Sequence, residues 1–174
     1  MSKIYVDEIL PKDNATVDGS KLSALPSSAM PAGSVIQAVN EEYSDVITST
    51  SSSAWTDTIS LSITPSATSS KIAVYSTFPF IMYGQARVRG GFQLLRDSTV
   101  IQGGSNETAH LRDLAGSYEC LLPTAMHYID SPNTTSEVTY KIQIIMHSGM
   151  GAGTGVQING NTRPCHMSLM EIAG

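Results

Sequence analysis

The chain has 174 residues, enough for one ordinary domain plus an appendage. Hydrophobic residues make up 41% and charged residues only 14%, against a usual charged share of about 25%, so a core can be buried but the surface must be solubilised by something other than charge. The net charge of -5 argues against general nucleic-acid binding, which needs a basic face, and no apolar run reaches the length of a membrane-spanning helix.

In chain order, the first 33 residues stand apart. "IYVDEIL" (4–10) alternates like a short strand and offers Ile4, Val6, Ile9 and Leu10 as apolar anchors. After it, Pro11, Pro26 and Pro31 interrupt a polar stretch, which prevents a helix and stops any strand early. Alone this arm buries little, so it is expected to be held by the body or by another subunit. Acidic residues stand where a secretory signal would be apolar, so no export signal is legible.

Residues 34–174 read as one all-β domain. Period-two alternation recurs in "SVIQAVN" (34–40), "TISLSIT" (58–64), "KIAVYSTF" (71–78) and "VTYKIQIIM" (138–146). "GFQLLRDSTVI" (91–101), "CLLPTAMHYI" (120–129), "GVQIN" (155–159) and "HMSLMEI" (166–172) each supply a further strand. Gly, Pro, Asn and Ser clusters separate them. Chain-wide, 40 serines and threonines supply the polarity, and Thr suits strands while Ser suits turns. The expected fold is an antiparallel β-sandwich, jelly-roll-like, with about eight strands. In "LSITPSATSSKIAVY" (61–75), Leu61, Ile63, Ile72 and Val74 fall on the apolar face, and Pro65 with the small hydroxyl residues forms a turn. Only "ETAHLRDLAG" (107–116) carries a weak helical period. Pro79, between Phe78 and Phe80, points to an edge strand or a bulge, and exposed aromatics there would suit a carbohydrate platform.

Motifs for chemistry are sparse. His110, His127, His147 and His166, with Cys120 and Cys165, lack the spacing of a zinc site. The two cysteines are expected to be reduced and buried unless their strands lie side by side. "HSGMG" (147–151) lacks the glycine that a nucleophile elbow needs before its serine. "GMGAGTG" (149–155) lacks the lysine of a phosphate loop and reads as a loop tip. Carboxylate pairs such as Asp113 with Glu119, or Asp57 with Asp97, would be needed for sugar cleavage, but solvated acids fit as well. No metal, cofactor or catalytic residue is assigned, and the chain is read as a non-enzyme. Arg87 and Arg89 fall on one strand face and, with His110 and Arg112, are the candidate surface-binding residues for an acidic glycan or a neighbour's carboxylate. By glycine content and length, loops 84–90, 103–117 and 149–155 are the outward-facing candidates.

The phrases "MSKIYVDEILPKDNATVDGSKLSAL", "WTDTISLSITPSATSSKIAV", "LLRDSTVI", "YIDSPNTTSEVTYKIQI" and the terminal "SLMEIAG" resemble virion fibre and tail-fibre-like structural proteins of marine and cyanobacterial phages. That resemblance implies a virion protein made in the host cytoplasm, commonly a homotrimer. It also implies a β-sandwich body and an arm that attaches to other virion proteins of the tail, baseplate or capsid. The expected function is a trimeric fibre-like protein that contacts a host-surface glycan. The alternatives are a decoration protein that stabilises the capsid shell and, from another class, a glycan depolymerase.

Overall fold

A computed structural model describes residues 30–85, 87–111, 116–148, 153–159 and 163–174. The arm residues Ile4, Val6, Ile9 and Leu10, and Arg112, lie outside the described residues.

The described residues form eleven strands in two antiparallel sheets, β1 Val35–Tyr43, β2 Ile47–Ser49, β3 Thr56–Ile63, β4 Lys71–Gln85, β5 Val88–Arg96, β6 Thr99–Gly103, β7 Ala109–Leu111, β8 Ser117–Asp130, β9 Val138–Met146, β10 Gly155–Ile158 and β11 Cys165–Ile172. One sheet runs β1-β11-β4-β10-β2 with β8 on the other side of β4, and the second runs β3-β9-β5-β6 with β7 also on β5. This is the β-sandwich that the alternating pattern implies, with eleven strands in place of about eight. The extra strands have physical causes. "GFQLLRDSTVI" folds back on itself, because Asp97 takes a positive φ of 52° and closes a two-residue turn between β5 and β6. β2 and β7 have three residues each, too short for any period to be read. The weak helical period at 107–116 is overridden, since Ala109–Leu111 pairs with Val88–Gly90 as β7.

The core lies between the sheets. Ile72, Val74, Phe80 and Met82 of β4 face Val88 and Leu94 of β5 and Tyr140, Ile142 and Ile144 of β9. Burying each such side chain contributes roughly 1.5–3 kcal/mol. Phe78 and Phe80 pack edge-to-face on Phe92, with centroids 5.6 and 5.3 Å apart. These two aromatics therefore fill the core and do not form a surface platform.

Pro79 sits neither on an edge strand nor at a bulge, contrary to the sequence expectation. It lies inside β4 directly opposite Pro123 of β8. Neither proline has an N–H, so this is a non-hydrogen-bonded pair, and both point their missing donors away from each other. On its other side β4 pairs with β11 through Thr77 and with β10 from Phe80 onward. Pro79 falls in the gap between those two partners, where no donor is called for.

Two polar clusters close one end of the sandwich. Asp130 of β8 accepts Arg96 Nη1 at 2.8 and 3.0 Å and the Tyr140 hydroxyl at 2.7 Å, which ties the sheets together. Burial raises the Tyr140 phenol far above its ordinary range, so it stays a donor. Glu171, fully buried at the end of β11, accepts Ser66 N–H at 2.7 Å and Ser66 Oγ, Ser70 Oγ and Gln37 Nε2 at 2.6 Å each. That is the role of "PSATSS": its hydroxyls and backbone satisfy a carboxylate. Burial works to raise the Glu171 carboxyl, and the hydrogen bonds from Ser66, Ser70 and Gln37 outweigh it and hold it below its ordinary range. A carboxyl with a depressed folded pKa contributes stability above its unfolded value of about 4.3 and loses it as pH falls through the folded value. Glu171→Ala is expected to cost on the order of 3 kcal/mol in chemical denaturation, because buried donors lose their acceptor. The loss should shrink as the pH falls below about 4. A change under about 0.5 kcal/mol at neutral pH, typical of an ordinary surface site, would contradict this account.

Candidate functional site

The strand ends sort the loops into two groups. The β4–β5 hairpin, the start of β8 opposite Gln85, the end of β9 opposite Gly90 and the start of β10 opposite Tyr83 all meet at one end. The described flanks of the sequence-predicted outward loops 84–90, 103–117 and 149–155 therefore lie there; residues 86, 112–115 and 149–152 are outside the described residues. At the opposite end, Gly33 N–H bonds to Ala173 O at 2.7 Å and Ala173 N–H to Ser34 O at 2.8 Å. The leading segment thus enters the body at the end away from these loops. β4 alone, at 15 residues, spans roughly 50 Å between them.

At the loop end, three cationic or titratable side chains stand in a row on the outer face of the second sheet. His110 of β7 is directly opposite Arg89 of β5, and His147 N–H bonds to Arg89 O at 3.0 Å just beyond β9. Glu107 lies over all three. Its Oε1 is 3.0 Å from Arg89 Nη1 and 3.0 Å from His110 Nδ1, and its Oε2 is 3.6 Å from His147 Nε2. Gly91 makes this approach possible. A Cβ there would stand 2.0 Å from Ser105 O, so only glycine lets the segment before β7 lie on β5. Desolvation works to raise the Glu107 carboxyl, but Arg89, His110 and His147 prevail and hold it below its ordinary range.

The candidate surface residues are thus only partly brought together. Arg87 precedes β5 and is exposed. Arg89 is part-buried and engaged by Glu107, so its charge is spent within the protein and is not presented to an outside anion. His110 is engaged by the same carboxylate. Glu107 was missed from sequence because its contact with Arg89 crosses two strands. The pair of adjacent glycines in "RVRGGF" was the one signal that a segment would cross there.

The remaining chemistry-bearing residues are dispersed. His127 lies on β8, and His166 on β11 is 3.9 Å from Glu42. Cys165 faces Tyr43 in the strand register and Cys120 faces Met82, and both thiols are free. Burial pushes the buried Cys165 thiol up to about 11, whereas Cys120 is only part-buried. Asp57 is bound by Gln143 and Lys141, which hold its carboxyl below the ordinary range. Asp97 instead accepts Thr139 N–H at the β5–β6 turn, so these two acids serve separate structural contacts. Among the described residues no three His, Cys, Asp or Glu side chains are grouped to hold a metal ion, and no helix is long and apolar enough to cross a membrane.

No protein-family model matches the chain, and no curated protein matches it significantly. Similar solved structures include infectious bursal disease virus Gt strain, at 15% identity and TM-score 0.39, covering 79% of this chain and 38% of that one. The T=1 particles derived from the same virus match at 16% identity and TM-score 0.41, over 81% of this chain and 37% of that one. Its VP2 subviral particle matches at 16% identity and TM-score 0.39, over 81% and 39%. The chain spans less than two-fifths of the length of these proteins.

Glu107 holds the β6–β7 segment against the loop end. Glu107→Ala is expected to leave the sandwich folded by circular dichroism and to speed amide hydrogen exchange at residues 105–110 at least tenfold. Unchanged exchange there would show that Gly91 packing alone holds the segment.

Proposed function

We propose that this chain is a structural virion protein, fibre-like and self-associating as a homotrimer. In this reading it attaches to the particle through its leading segment and presents its loop end to the host surface. The observation that carries the reading is the polarity of the body. Gly33 and Ser34, which lead into β1, lie at one end beside Ala173, and the described flanks of the candidate outward loops lie at the other. A sandwich bridging the two with an apolar core and inter-sheet ties such as Arg96–Asp130 transmits position without needing to move. The virion-fibre-like phrases in the arm and the body point the same way. The polar clusters found, at Glu171, Asp130 and Glu107, are each closed by protein partners, and the proposal assigns the chain no catalytic step. Exposed Arg87 is the described cation best placed to meet a host-surface acidic glycan.

The test is removal of residues 1–29. The shortened chain is expected to fold, with its β-sheet circular dichroism and unfolding midpoint kept, and to be lost from purified particles. Gold labelling of the full chain should then mark the tail. Labelling spread over the head, with particles lacking the protein adsorbing normally but opening on heating, would favour the decoration role instead. Incorporation of the shortened chain at wild-type levels would overturn attachment through the arm.

A further inference from the structure

The sandwich has one flank that its own strands leave unprotected. β8 is 14 residues long and pairs only with β4 among the described residues, in unbroken register from Ser117 to Asp130. Because Pro79 and Pro123 form a non-hydrogen-bonded pair, the odd-numbered residues of β8 turn their backbone N–H and C=O groups to the outer edge. Leu121, Ala125, His127 and Ile129 therefore present unpaired backbone, interrupted once at Pro123. Other edges are blunted. β1 carries Glu41 and Glu42 and a register break after Val35, β3 has a register break after Asp57, and β2, β6 and β7 have three to five residues. Breaks, charges and shortness are the usual protections of an edge; β8 carries charge only near its ends, at Glu119 and Asp130, and between them only Pro123 interrupts it.

The side chains beside this edge are apolar. Three of the six large hydrophobics exposed among the described residues lie on β8 or its neighbour β4, namely Ile129 at 60%, Tyr75 at 49% and Tyr128 at 36%. Ile129 and Tyr75 share the outer face of the sheet, opposite Ala73 and His127, and Tyr128, opposite core-facing Val74, stands on the inner side of the same edge. A groove of about 350 Å³ continues the surface along Pro79, Leu121, Pro123 and Pro164, and Arg163 lines it as its one charged side chain. From Cys120 to Ile129 there is no Asp, Glu, Lys or Arg.

We propose that the β8 flank is the self-association face, covered by a second copy of this chain. Between Glu119 and Asp130 the strand offers a charged partner little to recognise, and along Cys120–Ile129 it offers a second copy no like charge to repel. Its size fits. A 14-residue strand is roughly 48 Å long, and a band about 15 Å deep along it covers about 700 Å², close to the ~800 Å² that one partner gives to a stable interface. Pro123 limits strand addition at the centre, so the contact is closed by side chains and does not propagate as an open sheet.

This assignment rests on the self-associating reading above. It is tested by sedimentation of the full chain at micromolar concentration, with Tyr75→Lys/Ile129→Lys as the variant and Val35→Lys on β1 as the control. All three positions are exposed, so β-sheet circular dichroism should be kept. The wild type and the control are expected to be oligomers, and the variant to dissociate at least tenfold more readily. In the wild type, hydrogen exchange at Leu121, Ala125, His127 and Ile129 should slow with concentration, which checks the face without any variant. An oligomeric variant with wild-type mass and concentration-independent exchange at β8 would overturn the face and leave self-association and particle attachment standing. A monomeric wild type would overturn self-association itself. Protection of the β8 amides in such a monomer by a peptide of residues 1–12 would give the edge to the leading segment and overturn the proposal.

Discussion

The fold depends on β4 being paired along both edges at once. One edge runs against β8 for 14 consecutive residue pairs, and the other is shared end to end by β11 and β10. A strand of 15 residues cannot tolerate proline in its ladder unless the donor it lacks is called for on neither side. Pro79 meets that condition because Pro123 faces it on one side and the β11–β10 junction lies on the other. The junction in turn sets the chain path, because two different strands must end and begin at that point. The positions of β1 on β11 and of β2 on β10 follow from it.

From this arrangement come the two unlike ends. β4 starts beside the buried Glu171 cluster and the Gly33–Ala173 contact, and it finishes at the hairpin that leads to Arg87 and Arg89. The first end is closed by charge held in the interior, at Glu171 and at Asp130 with Arg96 and Tyr140. Buried carboxylates are costly when unpartnered, and here each has several donors, so they rigidify the end where the leading segment enters. The second end carries its charge nearer the surface, where part-buried Arg89, His110 and His147 share the single carboxylate of Glu107.

The low charge content has a related consequence. A sandwich solubilised by hydroxyls has few lysines and glutamates to place on its edges. β1 receives two adjacent glutamates, and β8 between Glu119 and Asp130 receives only a proline. The shortage of charge that marks the composition thus reappears in space along the ten uncharged residues Cys120–Ile129 of β8.

Alternation by itself determined the class of fold and the inward faces. Ile72, Val74, Leu61 and Ile63 point where period two places them, because a strand buried on one side has no other way to hide its apolar residues. The turn at Pro65 was legible for the same local reason. What only the tertiary structure decided was every feature that joins residues far apart in the chain. Nothing local distinguishes Pro79 on an edge from Pro79 opposite another proline, or a free Arg89 from one held by Glu107. A local pattern also cannot show that Ser66 and Ser70 serve a carboxylate more than a hundred residues away. Strand periodicity reports which side of a sheet a residue faces, but not which strand lies next to it, and the pairing of distant strands is what built both ends and left one edge open.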